Sequence, residues 1–434
     1  MTTLKSISSK DPTGIFEKIQ QHNSSTSMKD VAAVILGGGT GSRLFPLTFT
    51  RCKPAINFGG KFKLIDIPIS NALNSGCNKI FVISQFLSSS LHQHITKTYR
   101  IDSFSQGFLE LLAVEQKPSK ASWYKGTADA VRQNVEYLKE APVEYILILS
   151  GDQLYKMNFQ KMLQFAINKN ADVVVASLPV NFQTARRMGI LKIDKNHMIQ
   201  DFVEKPEDEA ILQAFAHLKG TKPFLGSMGI YLFKRKALFQ LLEEDTREDF
   251  GKHLIQTQVK KGKIATFVHH DYWEDIGTID SFFYANLNLA KPNPLFDCYN
   301  ESFPIHSSHS ILPGPKFSNT EVIHSIISEG ACIEAKKIKD SVIGPRSLIG
   351  EGTVIEQSYI MGNETYGSRT KKKYSIGKQC LIKKAIVDKQ VIIGDNVHLT
   401  NETDQDFYDG DGIYIRDGII IVTPGTTLPD GFTL

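Results

Sequence analysis

The chain has 434 residues, 41% hydrophobic and 22% charged, the composition of an ordinary globular protein with material for two or three domains. Its 50 basic and 46 acidic residues leave a net charge of +4, too slight for a nucleic-acid-binding or membrane-binding surface, so electrostatic recognition must be local and suits small anions. The cysteines (Cys52, Cys77, Cys298, Cys332, Cys380) contain no Cys-x-x-Cys pair and no apolar run reaches membrane-spanning length, which argues against a zinc site, a disulfide framework or a transmembrane segment and for a reducing, cytoplasmic setting.

Residues 1–28 are Ser-rich, but Asp11 and Glu17 break the acid-poor pattern of a transit sequence, and the segment is expected to be a lead-in. A continuous apolar run, Val31 to Leu36, then predicts a strand buried on both faces. It ends in Gly37-Gly38-Gly39-Thr40-Gly41-Ser42-Arg43-Leu44. Glycines lacking side chains let backbone N–H groups close on an anion, and Arg43 with Lys53 adds positive charge nearby. The loop fits neither the Walker pattern nor Gly-x-Gly-x-x-Gly.

From residue 29 to 295, short β-rich runs alternate with helical patterns, which predicts an α/β domain of three layers with a mostly parallel sheet. Further strands are expected at Ile80 to Ser84, Tyr145 to Leu149, Val173 to Ala176 and Ile230 to Phe233. Helices are expected at Ser70 to Ser75, stopped by Gly76, and at Ala128 to Lys139, with Val131, Val135 and Leu138 on one face. Ligands gather where such strands end, which draws attention to Gln85, Asp152 and Ser227.

Residues 296–320 read as a linker, and residues 321–434 as a different kind of domain. Ile326, Cys332 and Ile338, then Val342, Leu348 and Val354, recur every sixth position, and Ile343, Ile349 and Ile355 run in parallel. The period returns at Leu381, Val387, Ile393 and Leu399 after a Lys-, Gly- and Thr-rich interruption at about 358–375, expected to protrude as a loop. A six-residue apolar repeat predicts a β-helix, one side of the coil per hexapeptide.

Asp152 after Ser150-Gly151 and Asp275 before Ile276-Gly277 are carboxylates with glycine beside them, and two such groups with phosphate oxygens and water suit Mg²⁺. An Asp near a Gly is commonly a turn residue; the combination with a cationic glycine loop is what points to phosphoryl chemistry. Thr127, in Gly126-Thr127-Ala128-Asp129, is placed to cap a helix, and Glu204-Lys205 offers an acceptor for sugar hydroxyls beside a cation for phosphate. No Ser-His-Asp or Cys-His arrangement indicates a covalent nucleophile.

The glycine loop, Trp123-Tyr124-Lys125-Gly126-Thr127-Ala128-Asp129-Ala130, Gly151-Asp152, Val203-Glu204-Lys205-Pro206, Ser227-Met228-Gly229 and Tyr272-Trp273-Glu274-Asp275-Ile276-Gly277-Thr278 together resemble the ADP-glucose pyrophosphorylases, from about Ala32 to near the C-terminus. The resemblance implies a Rossmann-like mixed α/β/α catalytic domain followed by a left-handed parallel β-helix, assembled as a homotetramer. It implies an enzyme joining ATP and α-glucose-1-phosphate into ADP-glucose and pyrophosphate for glycogen or starch, with Mg²⁺ and an anionic sugar-phosphate effector. Arg43, Lys53 and Asp152 would be catalytic, with Asp152 and Asp275 holding the metal. Gly38, Gly39, Thr40, Gln85, Tyr124, Gly126 and Thr127 would line the nucleotide side, Gln85 reading the adenine. Gly189, Glu204, Lys205 and Ser227 would face the sugar phosphate. Lys61, Lys389 and Arg416 match regulatory positions, while Gln153 stands where the family has histidine. Two competing readings are a non-catalytic regulatory subunit, against which the presence of Arg43 and Lys53 counts, and a pyrophosphorylase for another nucleotide sugar.

Overall fold

The computed structural model describes residues 26–39, 41–101, 107–114, 123–308, 311–367 and 375–434. The lead-in lies almost wholly outside them, as do Thr40 and residues 368–374 of the expected loop.

The apolar runs form strands Val31–Leu36, Lys79–Ser84, Tyr145–Ser150, Val173–Val180 and Phe224–Lys234. With Phe108–Ala113, Gly189–Ile193, Ile199–Glu204 and Ile264–Val268 they make one nine-stranded sheet. Val31–Leu36 lies between Tyr145–Ser150 and Lys79–Ser84, parallel to both. Successive residues of this strand enter opposite cores: Val31, Ala33 and Ile35 on one face, Ala32 and Val34 on the other. The other half of the sheet departs from the mostly parallel expectation. Phe224–Lys234 runs antiparallel to Tyr145–Ser150, to Val173–Val180 and to Gly189–Ile193, and shifts register between Ser227 and Tyr231. The antiparallel turn matters because it brings the start of that long strand, at Ser227, to the edge where Tyr145–Ser150 ends.

Two helices differ from expectation. The first starts earlier, at Asp66, and ends at Asn74, with Gly76 taking φ +90 just beyond. The second is broken into Thr127–Gln133 and Val135–Glu140, because Asn134 spends its side-chain amide on Ala130 O (2.8 Å) and the Tyr124 hydroxyl (2.9 Å).

The C-terminal domain is a coil of short parallel strands in three sheets, beginning at Lys316–Phe317, inside the stretch read as linker. One column runs Glu321–Ile323, Lys337–Lys339, Val354–Glu356, Leu381–Lys383, His398–Leu399. Of the residues in the six-residue period, Ile338, Ile343, Ile349, Ile355, Val387, Ile393 and Leu399 fill the coil, whereas Cys332 is exposed and Leu348, Val354 and Leu381 are half-buried outside it. Neighbours on a strand point to opposite faces, so both series cannot be inside.

Val342 is buried for another reason: with Tyr359, Ile386, Ile419 and Ile421 it meets Leu44, Leu47, Ile56, Phe58 and Phe282 of the first domain in one apolar cluster. The Phe282 and Tyr359 rings stand 5.9 Å apart across this seam. Each fully buried aliphatic or aromatic side chain contributes about 1.5–3 kcal/mol, so the seam holds the domains at a fixed angle. Among the described residues no helix is long and apolar enough to cross a membrane.

Candidate active site

The strand order puts the predicted residues along one sheet edge. Reading across Ile199–Glu204, Gly189–Ile193, Phe224–Lys234, Tyr145–Ser150, Val31–Leu36 and Lys79–Ser84, the edge carries Glu204, Gly189, Ser227, Asp152, the glycine loop and Gln85 in that order.

At its centre, Gly37 N–H still bonds Ile83 O at 2.8 Å, and beyond it Gly38 and Gly39 are exposed. Among the described residues a Cβ on Gly39 would meet nothing within 4 Å. Gly151 closes against Leu36: its N–H bonds Leu36 O at 3.0 Å, and a Cβ would press on that oxygen (3.1 Å) and on Pro54 (3.2 Å). This close approach sets Asp152 against Lys53, whose Nζ lies 2.7 Å from Asp152 Oδ2 and 3.6 Å from Asp275 Oδ1. The two acids meet because Trp273–Asp275 pairs antiparallel with Gln153–Tyr155, Asp275 opposite Gln153. Arg43 completes the group; a Cβ on Gly277 would stand 3.1 Å from Asp275 Oδ2 and 3.4 Å from Arg43 Nη2.

Electrostatics separates the two carboxyls. Burial alone raises the Asp152 carboxyl, but the Lys53 charge and hydrogen bonds from Lys53 and Ser150 outweigh it, and the net shift is downward. Asp275 shifts upward, because burial and the repulsion of Asp152 exceed what Lys53 and Arg43 return. Both stay accessible at the edge, their side chains 25% and 43% exposed. An ammonium lying between two carboxylates marks a position suited to a cation.

On one side, Gln85 Oε1 accepts Tyr124 N–H at 2.6 Å and Gly38 packs on the Gln85 Cβ. The helix after Tyr124 is capped by Gly126, not by Thr127 as expected. Its free N–H groups go to a carbonyl instead, Ala128 and Asp129 both donating to Glu248 O (2.8 and 3.1 Å). A Cβ on Gly126 would lie 2.4 Å from that oxygen, so only glycine fits. The Thr127 hydroxyl donates to Asp249 Oδ2 and accepts from Phe250 N–H, both at 3.1 Å.

On the other side, the Glu204 carboxylate lies under two glycines: a Cβ on Gly189 would be 2.6 Å, and on Gly251 2.9 Å, from Glu204 Oε2. Burial, with Asp249 adding repulsion, raises the Glu204 carboxyl against the pull of Lys205. The exposed Lys205 ammonium is 3.7 Å from Glu204 Oε1, and Lys205 takes φ +46, which turns its side chain outward from the strand end. Ser227 Oγ accepts Gly229 N–H at 3.2 Å. Gln153 fastens this side to the carboxylate ribbon, donating to Met228 O (2.8 Å) and accepting from Trp273 Nε1 (3.2 Å).

Asp249 is the residue that sequence reasoning missed. It joins the two sides, holding Thr127 and, through Oδ1, Lys252 N–H at 3.0 Å, while its charge is felt at Glu204. An acid just before Phe250-Gly251 carries the same local signal as Asp275 before Ile276-Gly277.

The positions matched to regulation are not in this edge. Lys61 reaches Glu329 across the seam (3.4 Å) and Lys389 pairs with Glu364 (2.8 Å). Arg416 is held by Asp409, by Tyr408 O and Ile415 O, and lies 4.0 Å over the Phe407 ring.

A glycine loop with two cations and a pair of carboxylates at one sheet edge is an arrangement suited to phosphoryl groups. The nucleotidyl transferase family model matches residues 32–292, and the chain belongs to that family. A second match, to the GLGC left-handed parallel β-helix domain, covers residues 310–433 and supplies the hand of the coil. These two domains in this order are the architecture of ADP-glucose pyrophosphorylase.

Proposed function

We propose that the chain is a glucose-1-phosphate adenylyltransferase with Mg²⁺ as cofactor. A phosphate oxygen of α-glucose-1-phosphate attacks the α-phosphorus of ATP, the bond to the β-phosphate breaks, and ADP-glucose and pyrophosphate form without an enzyme-bound intermediate. The observation that carries this reading is the meeting of Arg43, Lys53, Asp152 and Asp275 midway along the edge, with Gln85 at one end and Glu204 at the other.

The donor set fits Mg²⁺, since two carboxylates from one ribbon face a point an ammonium already occupies, and phosphate oxygens and water complete its octahedron. When bound, the metal would supply charge neutralisation to the phosphates. Asp152 and Asp275 would hold it, and Lys53 would turn to the phosphate chain. Arg43 meets charge developing on the departing pyrophosphate, and the backbone of Gly38 and Gly39, with Thr40 beyond the described residues, receives the triphosphate. Gln85 and Tyr124 bound the base; Glu204 and Ser227 accept from and donate to sugar hydroxyls, and Lys205 meets the sugar phosphate. Orientation of two anions is then most of the catalysis. A homotetramer, an anionic effector engaging Lys61, Lys389 and Arg416, and a place in glycogen or starch synthesis belong to the same reading.

Incubating the purified chain with Mg²⁺, α-glucose-1-phosphate and each nucleoside triphosphate in turn tests it. ADP-glucose and pyrophosphate should appear with ATP; pyrophosphate from UTP or dTTP alone would refute the choice of nucleotide. Turnover appearing only with an added partner subunit would mark a regulatory chain.

A further inference from the structure

The turn that carries Arg43 is held by more than its own residues. Gly41 takes φ +60, and a Cβ there would meet Thr48 Cγ2 at 2.9 Å and Lys53 Cβ at 3.3 Å. Its carbonyl accepts Leu44 N–H at 2.9 Å, closing the turn Ser42–Leu44, and also the Thr48 hydroxyl at 3.1 Å. Thr48 is buried and Gly41 is half-buried, so this second bond is only partly open to water. The residues that follow the loop therefore fold back and support it from beneath, through successive turns Leu47 N–H to Leu44 O (2.8 Å) and Phe49 N–H to Pro46 O (3.0 Å).

The same segment is gripped from its far side by the other domain. The Phe45 ring stands edge-on to Tyr414, centroids 5.3 Å apart at 85°, and Phe49 closes on Phe45 at 6.2 Å. Arg416 lies 5.8 Å over Phe45 and 5.5 Å over Tyr414, its guanidinium already fixed by Asp409 and two carbonyls. Strand Ile413–Arg416 is in turn bonded along its length to Ile419–Val422, part of the buried seam.

We propose that Phe45–Phe49 is a positioning strap: Thr48 fixes the Gly41 turn, and with it the aim of Arg43 and Lys53 at the nucleotide's phosphates, while Tyr414 and Arg416 of the β-helix domain hold the strap through Phe45. Thr48 acts through Gly41 and touches no reacting atom. Arg416 is on this account a fixed part of the grip. The inference rests on the phosphate reading of the loop given above, and its test separates the two.

Thr48→Val keeps the shape and the methyl contact with Gly41 but removes the donor; Thr48→Ser keeps the donor. In the full chain with Mg²⁺, Thr48→Val should lower kcat/KM for ATP by roughly 2- to 10-fold, the factor of one neutral hydrogen bond, and leave KM for glucose-1-phosphate unchanged. Thr48→Ser should restore it, and Tyr414→Leu in the other domain should move the same parameter in the same direction. The affinity for inorganic pyrophosphate, read by calorimetry, should fall in parallel. Wild-type binding of pyrophosphate that weakens in Thr48→Val, without turnover of ATP, would support the strap and refute the adenylyltransferase. An unchanged Thr48→Val, equal changes in both KM values, a Thr48→Ser that fails to restore, or a wild-type chain that does not bind pyrophosphate would overturn the strap.

Discussion

Arg51 and Lys53 stand two positions apart and meet opposite fates. Arg51 pairs with Asp388 of the second domain, the two side chains 8% and 0% exposed, while Arg51 Nε has no partner among the described residues. Lys53 pairs with Asp152 and Asp275, of which the latter is 43% exposed. The first pair is sealed inside an apolar seam, where a lone charge is costly to leave, so its geometry serves the join between domains. The second opens on a sheet edge flanked by Gly151 and Gly277, where the partners of an ammonium can be exchanged for a ligand. What differs is access, set by which side of the segment faces the β-helix.

The comparison breaks if the open pair is merely structural. Asp152→Asn should remove nearly all turnover while leaving the denaturation midpoint close to wild type; near-normal rates would exclude a metal-holding role. For the sealed pair the readout reverses. Asp388→Ala strands the Arg51 charge and should cost about 3–5 kcal/mol in denaturant unfolding, whereas Arg51→Met with Asp388→Leu should recover most of that loss. A double variant as unstable as the single one would show that the pair itself, not its burial, matters.

The smallest effect lies between the two. Burial, with the nearby Lys389 charge, lowers the Lys63 ammonium to about 8 from an ordinary 10.5. The unfolded chain therefore holds this proton up to higher pH than the folded one, and stability should rise with pH between about 8 and 10.5. Below about pH 8 the folded protein bears the full cost of a charged Lys63. Lys63→Met should flatten that rise in pH-dependent unfolding; an unchanged slope would assign it elsewhere.

Much of the fold was legible because its signals are local. The apolar run Val31–Leu36 announces a strand buried on both faces, and the six-residue period announces the coil. The register of the coil was not, since Ile343 and its neighbour Val342 are equally apolar and docking against the first domain decides which is inside. The helix break at Asn134 depended on the Tyr124 hydroxyl, a contact that no propensity encodes. Thr127 reads as a cap by type, yet Glu248 O takes the helix N–H groups and frees its hydroxyl for Asp249.

The sequence by itself determined the two domain types and the residue types of the phosphate centre, because apolar period, glycine and charge are properties of short stretches. Only the tertiary structure decided that Asp152 and Asp275 share one ribbon, that Glu204 lies beneath Gly189 and Gly251, and that the carboxylate partner of Arg51 is sealed while those of Lys53 stay accessible. These depend on strand pairing and domain packing between residues far apart in the chain, where many partners are chemically adequate and geometry selects one.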